Sequence, residues 1–128
     1  MLANSPITTI LPVRQIDRAR HFYEDKLGLI AEGAHADGSF VMRSNGGGTV
    51  SLLPRPDHPK SQLTALSFEV ADVDAEIRDL EQRGVRFEDY DLPGLKTVNH
   101  VFAAEGEKCA WFTDPEDNVL CIHQALAH

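Results

Sequence analysis

The hydrophobic and polar positions of the chain follow nearly the same order twice. An apolar, β-branched run ends at Val13, and a stretch with helical periodicity then runs to Gly28; the same succession ends at Val70 and continues to Gly84. In both stretches the apolar residues recur at three- and four-residue steps, which predicts a helix with one buried face. The pattern therefore predicts a duplicated unit of strand, helix and further strands within one domain spanning residues 1–128.

The first unit is predicted to cover approximately residues 5–54. Residues 7–13 form its first strand, Asp17 is expected to cap the following helix, and Gly28 to end it. The expected buried face of this helix consists of Ile16, Ala19, Phe22, Tyr23 and Leu27. Further strands are predicted at 29–32, 39–43 and 49–53, with a turn at 45–48 and a Pro-rich linker at 54–60.

The second unit is predicted to cover approximately residues 62–125. A strand at 63–70 precedes a helix capped by Asp72 or Asp74 and ended by Gly84. The expected core face of the helix is Val73, Ile77 and Leu80. Strands follow at 85–88, 97–103, 108–113 and 119–124, with a loop over the cavity at 90–95 and a hairpin turn at 114–118.

Composition narrows the possible partners. The chain has 128 residues and a formal net charge of -8, and an excess of carboxylates opposes binding to nucleic acid or to an anionic membrane. No secretory leader and no apolar stretch of membrane-spanning length is apparent, so a cytoplasmic location is expected. The two cysteines are expected to be reduced thiols. A small molecule is the expected partner.

Three motifs carry a family resemblance: Phe22-Tyr23 through Gly28, the strand and helix from Phe68 to Gly84, and Trp111 through Asn118. With them the chain resembles the vicinal oxygen chelate superfamily of glyoxalase I, extradiol dioxygenases, and fosfomycin- and bleomycin-resistance proteins. The resemblance implies an α+β fold in which two tandem βαβββ modules form a curled mixed sheet around a cleft, with the helices on the outer face. It also implies a homodimer.

Metal-using members of that family carry His, Gln or Glu at four positions that face the cleft. Carried over to this chain, those positions are Thr8, roughly Leu52, Ala65 and Cys121. Two of these side chains have no donor atom, and a lone thiol does not suit a hard divalent cation. We therefore expect neither a family-type metal site nor another cofactor.

Strand alternation selects the residues expected to face the cleft. If Thr8 and Ala65 point inward, Ile10, Ser67 and Glu69 join them, and the family register adds Cys109, Trp111, Cys121 and His123. The predicted ligand-binding residues are Thr8, Ser67, Glu69, Phe102, Cys109, Trp111, Cys121 and His123, and the candidate catalytic residues are Glu69, His123 and Cys121.

Each candidate also has an ordinary structural interpretation. Trp111 either stacks on a ligand or fills the core, and Glu69 is either a general base with a raised pKa or a solvated carboxylate. Cys121 and His123 lie two residues apart on one strand face, about 6 to 7 Å, which is too far for a direct hydrogen bond. Cys109 is the closer cross-strand neighbour of His123, and buried cysteines commonly act as small hydrophobic residues.

Two functions from different classes follow. The first is a metal-independent small-molecule-binding protein of the glyoxalase/bleomycin-resistance type, holding an aromatic or cationic ligand in the cleft. The second is a glyoxalase-like lyase or isomerase that transfers protons through Glu, His or Cys, or recruits a divalent metal through a set such as His100, Glu105 and His123. The pattern does not decide whether His100 lines the cleft or faces solvent.

Overall fold

The computed structural model describes residues 1–104 and 106–126. Its backbone divides into two compact units, Met1–Lys60 and Ser61–His128, with the division directly after the Pro-rich segment.

The first unit contains one helical segment and four strands. A short 3₁₀ turn at Leu2–Asn4 precedes β1 (Thr8–Val13), α1 (Ile16–Arg20, continued by a π-helical stretch, His21–Lys26), β2 (Ile30–Ala34), β3 (Phe40–Arg43) and β4 (Thr49–Pro54). The sheet order is β1-β4-β3-β2, with β1 parallel to β4 and the other pairs antiparallel. The predicted turn at 45–48 is confirmed by the Ser44 N–H, which donates to the Gly48 carbonyl at 3.1 Å.

The first helix differs from the prediction at its start and in its winding. Gln15, in an extended conformation, is the N-cap, so Asp17 lies in the first turn. There its carboxylate interacts favourably with the helix dipole. The helix widens after Arg20, and the Leu27 N–H donates to the carbonyl of Phe22, five residues back. Phe22 and Tyr23, both in this wider stretch, are buried.

The second unit repeats this order and adds an insertion. Its elements are β5 (Thr64–Glu69), α2 (Val73–Gln82), β6 (Phe87–Glu88), β7 (Asp91–Leu92), β8 (Leu95–Lys96), β9 (Phe102–Ala104), β10 (Glu107–Thr113) and β11 (Val119–Ala125). The main sheet has the order β5-β11-β10-β6, and β9 also pairs with β10. Both β6 and β9 are antiparallel to β10, at different positions along it, so residues 89–101 interrupt a single sheet edge.

The apolar face of α2 is as predicted. Val73, Ile77 and Leu80 are buried, and the helix packs against β10 and β11. Asp72 caps the helix by accepting a hydrogen bond of 3.1 Å from the Ala75 N–H, and Gly84 follows its end with a φ of 89°.

The predicted strand at 97–103 is wrong. Asn99 and His100 have φ angles of 52° and 72°, and Val98 bridges to Val101, so this segment is a tight hairpin turn before the shorter strand β9. Such turns require positive φ at both central residues, which Asn tolerates. The apolar residues on either side of the turn imitate one continuous strand in the sequence pattern.

Two other connections are clear in the second unit. The segment predicted as a loop at 90–95 instead contains the β7–β8 hairpin, with its turn at Pro93-Gly94. The predicted turn at 114–118 is confirmed: the Asp114 carboxylate accepts hydrogen bonds of 2.8 Å from the backbone N–H groups of Glu116 and Asn118. These contacts join β10 to β11.

The α+β class with mixed sheets is confirmed. Within the described ranges, no helix is long and apolar enough to cross a membrane.

Candidate functional site

Strand register assigns the side chains of the second-unit sheet to its two faces. Directly paired residues share a face and successive residues alternate, so Cys109 opposite His123 and Trp111 opposite Cys121 lie on one face. Ala110, Phe112, Leu120 and Ile122 lie on the other, buried on the side of α2. We call the side opposite α2 the second-unit face; it carries Ser67, Glu69, Glu88, Phe102, Glu107, Cys109, Trp111, Cys121 and His123.

The second-unit face contains every predicted ligand-binding residue except Thr8. That residue lies on β1 of the first unit, where its hydroxyl forms a 2.7 Å hydrogen bond with the Thr49 hydroxyl. We call the corresponding side of the first sheet the first-unit face; Thr8, Ile10, Val41, Arg43, Thr49 and Ser51 lie on it.

The position assigned to Leu52 is wrong. Its side chain has no exposed surface and lies on the helix side with Leu11 and Met42. Because Thr8 pairs with Thr49 and Ile10 with Ser51, the residues of β4 on the first-unit face are one position away from Leu52. A shift of one residue along a strand moves every side chain to the opposite face.

The donor set at the family metal positions does not fit a hard divalent cation, even after this correction. Thr8 and Ser51 offer only hydroxyls, Ala65 offers no side-chain donor, and Cys121 offers a buried thiol. In the ranges 1–104 and 106–126, no three His, Cys, Asp or Glu side chains are grouped so that they could hold a metal ion.

Three aromatic rings meet on the second-unit face. The Tyr90 ring stands edge-on to the Trp111 ring, with centroids 5.5 Å apart and an interplanar angle of 87°, and the Phe102 ring lies 6.3 Å from Trp111 at 42°. We call these residues the aromatic cluster. Trp111 is partly exposed, so its indole is not a core side chain. Tyr90 lies near the start of the 89–101 insertion and Phe102 directly follows its end, so the insertion brings both rings to one indole.

Tyr90 was not predicted as a site residue. Its position two residues after the short strand that pairs Glu88 with Trp111 is the one signal that could have identified it. Burial, and next the Glu88 carboxylate, raise the pKa of the Tyr90 hydroxyl.

Charged groups on the second-unit face are carboxylates. Glu69, Glu88 and Glu107 belong to this face, and its described strand positions carry no Lys or Arg. Lys108 lies on the opposite face, where its ammonium contacts the Asp74 carboxylate at 3.0 Å. The electrostatic potential beside the aromatic cluster is therefore negative, which attracts a cationic ligand.

The imidazole of His123 lies between a hydroxyl and a carboxylate. Its Nδ1 is 2.5 Å from Ser67 Oγ, and its Nε2 is 3.8 Å from Glu69 Oε1. Ser67 therefore orients the ring, whereas Glu69 lies beyond hydrogen-bonding distance. The Glu69 side chain is 77 % exposed, so it is a largely solvated carboxylate in this structure.

The two cysteines lie beside this imidazole as protonated thiols. Burial, followed by a hydrogen bond to Glu107, raises the pKa of Cys109 to about 12; the Cys109 thiol donates to Glu107 Oε1 at 3.0 Å. Burial also raises the pKa of Cys121, which is 5 % exposed and donates to the Ile122 carbonyl at 3.3 Å. A thiolate nucleophile requires a lowered pKa, so these thiols are not activated.

His100 belongs to another environment. Its Nδ1 lies 3.0 Å from Asp89 Oδ2, its Nε2 lies 3.5 Å from Glu81 Oε2 of α2, and its ring is tilted over Phe87 on the helix side. Its ring nitrogens are therefore directed to carboxylates away from the second-unit face. Glu105, the remaining member of the alternative set with His123, lies outside the described residues.

Comparison with known proteins finds a family model and solved structures that match this chain. Residues 6–122 match the model of the Glyoxalase/Bleomycin resistance protein/Dioxygenase superfamily. Two similar solved structures come from Streptomyces sp. CB03234. The first is TnmS3, an antibiotic binding protein (24 % identity, 98 % of each chain covered, TM-score 0.76). The second is a glyoxalase/bleomycin resistance protein (25 % identity, 94 % of this chain and 100 % of that chain, TM-score 0.70).

A more distant likeness is to a superfamily member from Sphaerobacter thermophilus, with 19 % identity, 97 % and 99 % of the two chains covered, and a TM-score of 0.72. A search of curated proteins finds no match. The family model spans far more than half of the chain and agrees with the two α+β units. The chain belongs to the Glyoxalase/Bleomycin resistance protein/Dioxygenase superfamily.

Proposed function

We propose that this protein is a metal-independent small-molecule-binding protein of the glyoxalase/bleomycin-resistance type, which holds an aromatic or cationic ligand on the second-unit face. The observation that carries the proposal is the aromatic cluster, in which the partly exposed Trp111 ring is flanked by Tyr90 and Phe102. Indole is the strongest of the natural aromatic faces for a cation, and it also stacks well on a planar ring.

Electrostatics supports the cationic part of the proposal. Glu88 lies directly opposite Trp111 in the sheet, and Glu107 lies farther along the same strand as Trp111. A ligand with a positive charge and a planar ring gains from both the carboxylates and the rings. A cation over an aromatic ring contributes about 0.5 to 2 kcal/mol, depending on its desolvation.

The relatives provide the second line of support. TnmS3 is an antibiotic binding protein, and the other Streptomyces relative is a glyoxalase/bleomycin resistance protein. We therefore propose that the natural ligand is a drug-sized organic molecule. Its proposed contacts are the residues of the second-unit face predicted from the sequence: Ser67, Glu69, Phe102, Cys109, Trp111, Cys121 and His123.

Calorimetric titration with ethidium, a planar aromatic cation, tests this proposal. We expect saturable binding to the wild type in the presence of a metal chelator, a loss of about tenfold or more in affinity for Trp111→Ala, and substantial retention for Trp111→Phe. The matched control is Ile10→Ala, because Ile10 is a 60 % exposed apolar residue of the first-unit face. It should bind ethidium as the wild type does.

The charge contribution is measured separately. Glu88→Gln should weaken ethidium binding and reduce its dependence on salt, whereas a neutral planar aromatic of similar size should be insensitive to this change. Binding that is unchanged in Trp111→Ala, or that requires an added divalent metal, would contradict the proposal.

A homodimer is a further part of the proposal, supported by the family resemblance. Light scattering at micromolar concentration should give twice the chain mass of 14.2 kDa; a monomer across that range would remove the dimer from the proposal. A cytoplasmic location stays a prediction from the sequence.

One observation favours a second function. The short contact between Ser67 Oγ and His123 Nδ1 holds an imidazole whose other nitrogen faces Glu69. This arrangement supports a glyoxalase-like lyase or isomerase in which His123 and Glu69 exchange a proton with the substrate. The raised pKa of Cys121 argues against the thiolate role predicted for that residue.

Turnover of the methylglyoxal–glutathione adduct separates the two functions. The enzyme requires turnover in the wild type and its loss in His123→Gln, with the fold retained. Saturable ethidium binding with no turnover of the adduct supports the binding protein and removes this lyase or isomerase activity.

A further inference from the structure

The two cysteines of the chain occupy diagonal positions on neighbouring strands. Cys109 pairs with His123 and Trp111 pairs with Cys121 across β10 and β11, so Cys109 and Cys121 are two residues out of direct register. Both side chains project from the second-unit face. Each thiol also affects the pKa of the other through a side-chain hydrogen bond. The fold thus brings together two sulfur atoms that are separated by eleven residues of chain.

This spacing suits a bridging ion better than a disulfide. Diagonal residues on one face of an antiparallel pair have Cα atoms about 7 to 8 Å apart, whereas a disulfide requires about 4.4 to 6.8 Å. A metal ion between two thiolates separates the sulfur atoms by about 4 to 4.6 Å, since each metal–sulfur bond is ~2.3 Å long. Two cysteines on such a diagonal can bring their sulfur atoms to that separation by side-chain rotation, without movement of the backbone.

We propose that Cys109 and Cys121 form a two-sulfur site for a soft, thiophilic metal ion, of which Cu(I) is the representative. The donor chemistry selects this class, because thiolates prefer Cu(I) over hard oxygen-seeking cations such as Mg²⁺ or Mn²⁺. Two donors are enough for Cu(I), whose linear coordination needs no third protein ligand. The metal site shares Cys109 and Cys121 with the contacts of the organic ligand proposed above, but it does not require that ligand, and binding of that ligand does not require the metal.

The surroundings of the sulfurs agree with this chemistry. Cys121 is buried and Cys109 is partly buried, next to the aromatic cluster through the pairing of Cys121 with Trp111. Low water access protects a metal–thiolate bond from hydrolytic exchange. The carboxylate of Glu107 accepts the hydrogen bond of the Cys109 thiol, so it provides a first acceptor for the proton that leaves when the metal binds.

The number of protons released when the metal binds follows from the protonation state of the two thiols. Both are protonated at neutral pH, and a metal ligand must be a thiolate. Binding of one Cu(I) therefore forms two copper–sulfur bonds, breaks two S–H bonds and releases two protons to the buffer, with no change in oxidation state. Affinity for the metal should rise as the pH rises.

Anaerobic titration of the full chain with Cu(I), in competition with bicinchoninate and with free thiols kept reduced, tests the site. We expect one copper per chain and about two protons released per copper in buffers of different ionisation enthalpy. Cys109→Ser and Cys121→Ser should each lose about 10² to 10⁴-fold in affinity, because each variant converts a two-point attachment into a single bond. Mg²⁺ and Mn²⁺ should not compete.

The controls distinguish a copper site formed by both cysteines together from the ordinary affinity of a single thiol for copper. Lys108→Gln changes the chain neighbour of Cys109 on the opposite face of the sheet but no sulfur, and it should bind copper within about threefold of the wild type. If Cys121→Ser does not fold, Cys109→Ser, at the more exposed thiol, decides the matter alone. A single-cysteine variant with wild-type affinity, or half a copper per chain from bridging of two molecules, would overturn the proposal.

Discussion

The two units share a scaffold and differ in the sheet face that the helix leaves uncovered. Their strand orders, β1-β4-β3-β2 and β5-β11-β10-β6, correspond position by position, and each has its helix after its first strand. The first-unit face carries hydroxyls, exposed Ile10 and Arg43, whose guanidinium contacts Glu32 at 3.5 Å. The second-unit face carries aromatic rings, thiols, an imidazole and carboxylates.

The difference shows which positions of a duplicated unit are constrained by folding. Residues facing the helix must remain apolar in both copies, because they form the core. Residues on the opposite side contribute little to that core, so their chemistry can differ between copies without loss of the fold. The insertion at 89–101 increases the difference, since it brings Tyr90 and Phe102 to Trp111 in one copy only.

The largest expected effect tests whether the scaffolds are equivalent. Leu52 of the first unit and Leu120 of the second are both fully buried on the helix side, so Leu52→Ala and Leu120→Ala should each lower the free energy of unfolding by about 2 to 5 kcal/mol. Urea denaturation measures both. A loss below about 1 kcal/mol for one of them would mean that its unit lacks the packed core described above.

The next effect compares the reactivity of a thiol on the second-unit face with that of a thiol on the first-unit face. A rise in the pKa of Cys109 from 9.0 to about 12 lowers its thiolate fraction at pH 8 by about a thousandfold, so iodoacetamide should modify native Cys109 correspondingly slowly. A cysteine placed at Ile10 of the first-unit face should react like a free thiol. Mass spectrometry of the modified peptides measures both rates.

The same shift links stability to pH. A raised folded-state pKa means that the native state holds its proton more tightly than the unfolded chain. The contribution of Cys109 to the free energy of unfolding is therefore complete below the unfolded-state pKa of about 9, and it is lost as the pH rises towards the folded-state pKa of about 12. Cys109→Ser should remove this part of the alkaline loss in stability, and an unchanged pH profile would contradict the assignment.

A smaller effect concerns the start of the helices. Asp72 caps α2 through its side chain, whereas the N-cap of α1, Gln15, makes no side-chain cap. Asp72→Ala should lower the free energy of unfolding by about 1 kcal/mol, and Asp72→Ser should retain most of it because the hydroxyl still accepts from the Ala75 N–H. Equal losses in both variants would show that the carboxylate acts by charge and not by capping.

The smallest effect is expected at Arg20 on the first helix. Its guanidinium carbon lies 3.7 Å from the centroid of the Phe40 ring, and its Nε lies 2.7 Å from Glu24 Oε2. Arg20→Lys retains the charge but loses the planar stacking, so it should lower stability by about 0.5 to 1 kcal/mol. Thermal unfolding at low and high salt checks this, because a loss due to the ion pair alone would disappear at high salt.

Apolar periodicity was a reliable guide where one face of an element is buried. The core face of α2 and the strands at 108–113 and 119–124 were predicted almost residue by residue, because alternation and helical steps both report contact with a core. The same alternation predicted which side chains of β5 and β11 project to each side of the sheet. It placed Ser67, Glu69, Cys121 and His123 on one face. Leu52 was misplaced because the register of β4 depends on its pairing with β1.

Segments without a buried face were predicted less well. The turn at Asn99-His100 depends on positive φ angles that no apolar pattern reports, so the sequence pattern assigns His100 to neither face of the sheet. The pattern also does not identify Tyr90 as a site residue. The π-helical turn after Arg20 also depends on packing, because a wider turn is stable only where buried side chains compensate its weaker hydrogen bonds.

The sequence by itself determined the duplicated α+β units, the core positions, the excess of carboxylates, and the poor fit of the family metal positions to a hard cation. These features are local, since they follow from residue type and periodicity along the chain. The tertiary structure alone decided that Tyr90 and Phe102 contact Trp111, that Ser67 contacts His123, and that Cys109 and Cys121 lie diagonally on one sheet face. Those contacts join residues distant in sequence, and they exist because strand pairing and register bring separate segments onto one face of the sheet.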